Sequence, residues 1–478
     1  ASYDRDELRI KQSLRHEVDY DREHSLAKAH ERFVRESKNY RYLLESAVVL
    51  TSPQASPVRA ATVLSIQAMV DWLFVLYGAS DVLHNGIDVG GLRVDDQYVP
   101  EVFYSEARDA QEELFGREMA ALRLGVNVAE EDKVTTALSM QAYMALLDAA
   151  FAKDLRFTYA NMLQVLSTLT LWVSVGGAQE LACGYVSDRK AIAERAVAAH
   201  ADLPLDAALA VIDFLLLAPD QAWRLIGKDV VEDDVPVWEH SKRGSRHTIR
   251  PLIELPDGRV LWGAAVVERA KRIWTGSILA GYLPADYPWP AVRAAVGQLK
   301  KELEDGLEER AHEVCARAMP YAMKGIDFKY KFPKQRFPDV GDFDVLAYRP
   351  EDNQWLTTEC KYNQPAFCLK DTRRLRDRIF GGGSELGQLR KIERRRDFLI
   401  QNADTLRTLL GWPAPAGKPF SLTELYVSKD MHFWLRFPPY EVPTRFVQID
   451  TLDAWLRSKA APRGIVDAEP ADLGASHP

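Results

Sequence analysis

Three charged residues in the last third of the 478-residue chain could do chemistry together: Asp344, Glu359 and Lys361. They lie among apolar residues that favour burial, and a buried charge is costly unless it is paired or binds a metal. Two carboxylates beside a lysine suit a hard divalent cation such as Mg²⁺, which takes few carboxylates together with water and phosphate oxygens. These residue types therefore indicate a divalent-metal site.

A predicted β-hairpin positions these residues. Two apolar runs, Phe343 to Tyr348 and Trp355 to Tyr362, flank a polar turn at residues 350–353. Because side chains alternate between the two faces of a strand, Glu359 and Lys361 lie on the same face of the second strand. The hairpin therefore brings the carboxylates and the ammonium group together on adjacent strands.

An aspartate on one strand followed by Glu-x-Lys on the next resembles the PD-(D/E)xK nuclease superfamily, which includes restriction endonucleases and Holliday-junction resolvases. The resemblance covers the chain from about residue 295 onward and rests on Asp344 and on Glu359-Cys360-Lys361. It implies that Asp344, Glu359 and the backbone carbonyl of Cys360 bind Mg²⁺, with Mn²⁺ as a substitute. It also implies that Lys361 orients or activates the attacking water, in line with the needs of phosphodiester cleavage.

Two further site residues follow from the superfamily order. Glu308 lies at the edge of an apolar stripe on a helix predicted for residues 291–319, and it is a candidate catalytic carboxylate, although most glutamates on such a helix are solvated. Gln388, on a helix predicted from Glu385 to Gln401, matches a glutamine that some branches place near the active centre. The literal Pro-Asp pair at 338–339 falls in a predicted loop, which favours Asp344 as the site aspartate.

A basic segment follows the predicted metal site. Between Lys370 and Arg396 there are ten Lys or Arg against four Asp or Glu. Such side chains can neutralise phosphates, although a charge run is more often a solvated helix face. The predicted nucleic-acid contacts are Arg373, Arg374, Arg376, Arg378, Lys391, Arg394 and Arg395.

Composition limits the remaining choices. The net charge is −8, so a nucleic-acid site must be a local basic patch. The four cysteines are scattered without a Cys-x-x-Cys motif, which favours a reducing, cytoplasmic location over a disulfide scaffold. The apolar windows 60–79 and 166–186 contain polar residues or glycines, so they predict buried helices and no membrane span.

The chain is long enough for several domains, and its fold class is predicted as multidomain α and α/β. A helical N-terminal half precedes a restriction-endonuclease-like mixed-sheet α/β core. The predicted segments are a charged helical segment (1–50), an all-helical domain (51–220), a small α+β connector (221–290), the nuclease-like domain (291–460) and a disordered tail (461–478). Strands are predicted at 328–332, 420–427, 431–437 and 446–449, in addition to the hairpin.

These features predict a metal-dependent nuclease that hydrolyses DNA phosphodiester bonds with water, with an endonuclease favoured over an exonuclease. By analogy, a role in genome defence or repair is expected, with the helical half binding a protein partner or a second copy. A non-catalytic nucleic-acid-binding or scaffold protein with the same fold is the alternative from another class. An RNase of the same fold is a third, because the sequence does not separate RNA from DNA.

Overall fold

The structure, a computed structural model, has a mixed α/β architecture. It describes residues 39–50, 59–84, 90–94, 96, 100–104, 140–172, 184–224, 243–364, 369–382 and 387–460. The chain divides into two compact units, Ala1–Leu303 with Gln364–Leu375, and Glu304–Asn363 with Arg376–Pro478. Among the helices within the described ranges, none is both long and apolar enough to span a membrane. The predicted tail, 461–478, and most of the predicted segment 1–50 lie outside the described residues.

The first unit is built mainly from helices. They comprise residues 39–49 (α1), Ala60–His84 (α2), Met140–Leu155 (α3), Tyr159–Thr170 (α4), Arg189–Ala199 (α5), Leu205–Leu215 (α6), Ala264–Leu279 (α7) and the beginning of Pro290–Ala318 (α8). Helix α4 packs against α6 and α7, and Leu166 and Ile212 are fully buried. Apolar residues at three- and four-residue spacings place such side chains on one face, as the sequence predicts.

Short strands also occur in the first unit. They are Gly90–Val94 (β1), Pro100–Tyr104 (β2), Tyr185–Ser187 (β3), Ile253–Glu254 (β4) and Val260–Trp262 (β5). β1 pairs with β2, while β5 lies between β3 and β4, and all of these pairs are antiparallel. The prediction that residues 51–220 are all helical is therefore wrong for β1, β2 and β3. β3 is too short to show a local period, and its partner β5 lies far along the chain.

The second unit contains a mixed five-stranded sheet in the order β10-β9-β8-β7-β6. Its strands are Tyr321–Ile326 (β6), Phe343–Arg349 (β7), Gln354–Lys361 (β8), Ser421–Ser428 (β9) and Arg445–Gln448 (β10). β6, β7 and β8 are antiparallel neighbours, whereas β8, β9 and β10 are parallel. The predicted hairpin is confirmed, with Asn353 in the left-handed region (φ 50°) at its turn.

Helices pack against this sheet. Besides the end of α8, the unit contains Phe328–Lys331 (α9), the end of Leu369–Phe380 (α10), Gln388–Leu409 (α11), Phe433–Arg436 (α12) and Leu452–Ala460 (α13). Phe398 and Leu399 of α11 join the core formed by Leu346, Tyr348 and Trp355 of the hairpin. Sγ of Cys315 on α8 lies 3.9 Å from Oγ1 of Thr358 on β8. The two predicted long helices thus both contact the sheet.

Two predicted strands are helical turns instead. Residues 328–332 contain α9, because the Asp327 side chain accepts hydrogen bonds from the backbone N–H groups of Lys329 and Tyr330 and so caps a turn. Residues 431–437 contain α12, whose consecutive apolar residues are all buried. Short apolar runs do not distinguish a strand from a buried helical turn. Helix α11 begins at Gln388, and Glu385 lies outside the described residues.

Candidate metal and catalytic site

Adjacent strands of the second unit bring the predicted charged residues together. Val345 pairs with Thr358, so Asp344 near the start of β7 lies opposite Glu359 near the end of β8. Asp344 is only 4% exposed and Glu359 only 7%, so both carboxylates require compensation within the protein. Lys361, the last residue of β8, is partly exposed at the same end of the sheet.

Three oxygen atoms surround the Lys361 ammonium group. Its Nζ lies 2.8 Å from Oε1 of Glu359 and 3.3 Å from Oδ2 of Asp344, and it donates a 2.9 Å hydrogen bond to the carbonyl of Cys360. These are the same three groups that the resemblance assigns to Mg²⁺. Oε1 of Glu359 and Oδ2 of Asp344 can be no further apart than the sum of their two distances to Nζ. That sum is shorter than roughly 8 Å, the separation beyond which two carboxylates no longer share one Mg²⁺. We call these three oxygens the oxygen cage.

Backbone and arginine contacts fix the two carboxylates. Oδ2 of Asp344 accepts a 2.7 Å hydrogen bond from the backbone N–H of Cys360. Arg395 of α11 is buried and donates to Oε2 of Glu359 and to the carbonyl of Asp342. Because Oε2 is bound to Arg395, Oε1 is the Glu359 oxygen that belongs to the cage.

The local electrostatics favour a cation in the cage. Burial and the neighbouring Glu359 carboxylate raise the pKa of Asp344. Burial by itself would lower the pKa of Lys361, but the carboxylates of Glu359 and Asp344 raise it above its usual value. Burial, with a contribution from Asp344, raises the pKa of Glu308 to about 7. Such perturbed groups are concentrated at functional sites, although structural ion-pair networks produce them as well.

The other predicted site residues have different surroundings. Glu308 is partly buried on α8 and senses the charges of Asp344 and Lys361, whereas Asp339 is exposed and forms a 2.8 Å ion pair with Lys329. Asp339 thus lies in a loop, as the sequence predicts. The Cys360 side chain is buried, and burial raises the pKa of its thiol well above the usual value. A thiol in this state is a poor nucleophile.

Gln388 belongs to a chain of hydrogen bonds beside the cage. Its Oε1 accepts a 2.8 Å hydrogen bond from the hydroxyl of Tyr426, which in turn accepts a 2.8 Å bond from Nδ2 of Asn363. Tyr426 lies directly beside Glu359 in the sheet, because β8 and β9 are paired at these residues. The sequence does not point to Tyr426 or Asn363, since no local pattern reveals which strand neighbours β8.

The predicted phosphate-binding Arg and Lys side chains differ in their contacts. Arg378 and Lys391 are exposed. The others make hydrogen bonds or ion pairs: Arg373 with the carbonyl of His84, Arg374 with Asp371, Arg376 with Asp377, and Arg394 with the carbonyl of Asp339.

Arg395 does not fit the predicted surface role. It is buried and bound to Glu359, so it supports the site from within. The helical spacing of Arg395 is a signal of this buried role. Arg395 lies three residues after Ile392, three before Phe398 and four before Leu399, so it shares the helix face of these buried side chains.

No protein-family model, no curated protein and no solved structure matches the chain. Within the described ranges, no group of three or more His, Cys, Asp or Glu side chains could hold a metal ion. The oxygen cage offers two carboxylates and one carbonyl, a donor set that Mg²⁺ completes with water and phosphate oxygens. The residues present therefore fit a Mg²⁺ ion whose remaining ligands are water or phosphate oxygens.

Proposed function

We propose that the chain is a metal-dependent phosphodiesterase that hydrolyses nucleic acid, with DNA as the first substrate to test. The observation that supports this most strongly is the oxygen cage: Asp344, Glu359 and the Cys360 carbonyl converge on one cationic atom. The mixed sheet, with an aspartate on β7 and Glu-x-Lys on β8, is compatible with membership of the PD-(D/E)xK superfamily.

Each cage residue has a distinct role in this proposal. Asp344, Glu359 and the carbonyl of Cys360 would hold Mg²⁺, and the chemistry that such an ion supplies is polarisation of the phosphate and a lower pKa for a nearby water. The side chain of Lys361 is 28% exposed, so its ammonium group has room to leave the cage towards solvent. Placed beside the phosphate, it stabilises the negative charge that grows as water attacks. Arg395 holds Glu359 in place.

A second candidate function is nucleic-acid binding without cleavage, and one observation favours it. The two carboxylates of Asp344 and Glu359 face the two cations of Lys361 and Arg395. Their charges therefore cancel without a metal, as they would in a purely structural ion-pair network. The two functions differ in whether Asp344, Glu359 and the Cys360 carbonyl would hold Mg²⁺ in place of the Lys361 ammonium group.

Replacement of Lys361 tests the catalytic proposal. Lys361→Ala should reduce cleavage by about 10²-fold or more, the effect of losing one transition-state donor, while DNA binding is retained. Because the variant also removes the competing ammonium, it should bind Mn²⁺ at least as tightly as the wild type does, measured by calorimetry. Lys418→Ala, an exposed lysine near the opposite end of β8, is the control and should change neither quantity. Unchanged cleavage by a folded Lys361→Ala protein would refute the proposed catalytic role of Lys361 and favour the non-catalytic function.

A further inference from the structure

The segment between β6 and β7 presents a surface that the proposed mechanism does not use. Residues 327–337, here called the basic loop, read Asp-Phe-Lys-Tyr-Lys-Phe-Pro-Lys-Gln-Arg-Phe. Its three phenylalanines anchor it, because Phe328, Phe332 and Phe337 all pack in the core of the second unit. The ring centroid of Phe328 lies 6.1 Å from that of Phe332 and 6.4 Å from that of Phe337. The loop is therefore held by its apolar side chains and projects its polar ones.

The cationic side chains of the basic loop face solvent. Lys331, Lys334 and Arg336 are exposed. None of these three side chains forms a hydrogen bond or ion pair with any residue that the structure describes. Two acidic residues in and beside the loop are engaged elsewhere, since Asp327 caps α9 and Asp339 pairs with Lys329. Three positive charges are thus left without an acidic partner, which suits an anionic polymer.

An exposed aromatic ring lies among these cations. Tyr330 is 73% exposed, so much of its side chain is accessible to a ligand. Nζ of Lys329 lies 5.3 Å from the centroid of this ring. Cations that follow a phosphate backbone, combined with an aromatic ring on which a base can stack, are the features by which proteins hold single-stranded nucleic acid. A base inside a duplex has no free face for such stacking.

The topology places the basic loop at the same end of the sheet as the oxygen cage. The loop leads into β7, whose second residue is Asp344, and β8 ends beside the start of β7. Two successive arginines of α11 connect the two features. Arg394 donates a 2.6 Å hydrogen bond to the carbonyl of Asp339, just beyond the basic loop, while Arg395 binds Glu359 of the cage.

We propose that the basic loop binds a single-stranded segment of nucleic acid beside the oxygen cage. Tyr330 stacks on an unpaired base, and Lys331, Lys334 and Arg336 contact the phosphates. This inference rests on the proposed function for the identity of the polymer, and it adds that the substrate contains unpaired nucleotides. It predicts that single-stranded oligonucleotides bind more tightly than a duplex of the same length.

Binding measured without divalent metal tests the loop separately from catalysis. Fluorescence anisotropy in EDTA would follow the full chain binding to labelled oligo(dT), oligo(U) and duplex DNA, so that the source of the single strand is also compared. Tyr330→Ala should weaken single-strand binding by roughly 5- to 150-fold, the range expected for one lost base stack. Tyr330→Phe retains the ring and should bind as the wild type does. Phe420→Ala is the control, since Phe420 is exposed just before β9, at the opposite end of the sheet.

Charge reversal tests the phosphate contacts. Lys334→Glu with Arg336→Glu should lower the slope of log Kd against log salt by about one for each lost contact, whereas Lys418→Glu should leave it unchanged. Equal affinities of the wild type and Tyr330→Ala, or equal affinities for duplex and single strand, would overturn the inference. If the loop variants bind as the wild type does and still cleave DNA in Mg²⁺, the proposed role of the loop is refuted and the proposed function stands. If the chain binds through the loop but cleaves nothing, only the proposed catalytic function is refuted.

Discussion

The buried pair between Arg395 and Glu359 gives the sharpest test of how the site is held together. Arg395→Met keeps most of the side-chain volume but leaves Glu359, which is 7% exposed, without its guanidinium partner. Breaking a buried ion pair from one side costs about 3–5 kcal/mol, because a charge is left uncompensated. Lys361 still lies 2.8 Å from the other oxygen of Glu359, so we expect the lower end, about 3 kcal/mol.

The assay must report on the five-stranded sheet of the second unit alone, because a chain of two units need not unfold in one transition. Hydrogen exchange of the β7 and β8 amide groups, followed by mass spectrometry, gives the local free energy of opening. Arg390→Met is the matched control on the same helix: its arginine is 65% exposed and pairs with Glu393, so a cost of about 0–1 kcal/mol is expected. Glu359→Gln combined with Arg395→Met should recover much of the loss, since it removes the uncompensated charge.

A cost for Arg395→Met no larger than that of Arg390→Met would refute this reasoning. It would mean that water reaches the pair and that Glu359 is not fixed by α11. A double variant as unstable as the single one would indicate lost packing rather than lost charge compensation.

Three further predictions follow from particular residues. The pKa of Glu308 is raised to about 7 from an ordinary 4.5, so between these pH values the folded state binds more protons than the unfolded state. Raising the pH through this window should therefore lower the stability of the wild type but not that of Glu308→Gln. Hydrogen exchange at several pH values measures the difference. Reversing the charge of Arg378 and Lys391, which are exposed, should flatten the salt dependence of DNA binding more than reversing Arg374 and Arg376, which have acidic partners, as titrations at several salt concentrations would show. Gly387→Ala should destabilise the start of α11 by about 1–3 kcal/mol, because a Cβ atom there would lie 2.3 Å from the backbone N of Gly381. Gly297→Ala on α8 is the control and should be neutral or stabilising, because its Cβ atom would have nothing within 4 Å. Hydrogen exchange of the amide groups in each of the two helices would measure both effects.

The parts of the site that the sequence predicts are those encoded by local pattern. The hairpin has two apolar runs and a turn, so its strands, its turn and the facing positions of Asp344 and Glu359 all follow from alternation. The long helix α8 follows in the same way from its apolar stripe. Both are elements whose own residues specify them.

The parts that the sequence does not predict depend on distant partners. Arg395 is a charged residue within a basic run, and only its contact with Glu359 gives it a structural role. Tyr426 lies beside Glu359 because β9 pairs with β8 more than sixty residues along the chain, a pairing that no local period encodes. Residues 328–332, the first part of the basic loop, read as a strand in the sequence, whereas the Asp327 cap turns the backbone into α9 and leaves Lys331 exposed.

The most direct test of the central proposal is DNA cleavage by the purified full chain with and without divalent metal. Supercoiled and linear DNA are incubated with the wild type and with Asp344→Asn, which keeps the size of the side chain but removes one cage charge. The proposal predicts cleavage in Mg²⁺ or Mn²⁺ that EDTA abolishes and added metal restores, and little or no cleavage by a folded Asp344→Asn protein, with partial recovery in excess Mn²⁺. Cleavage that persists in EDTA, or equal cleavage by Asp344→Asn, would contradict it.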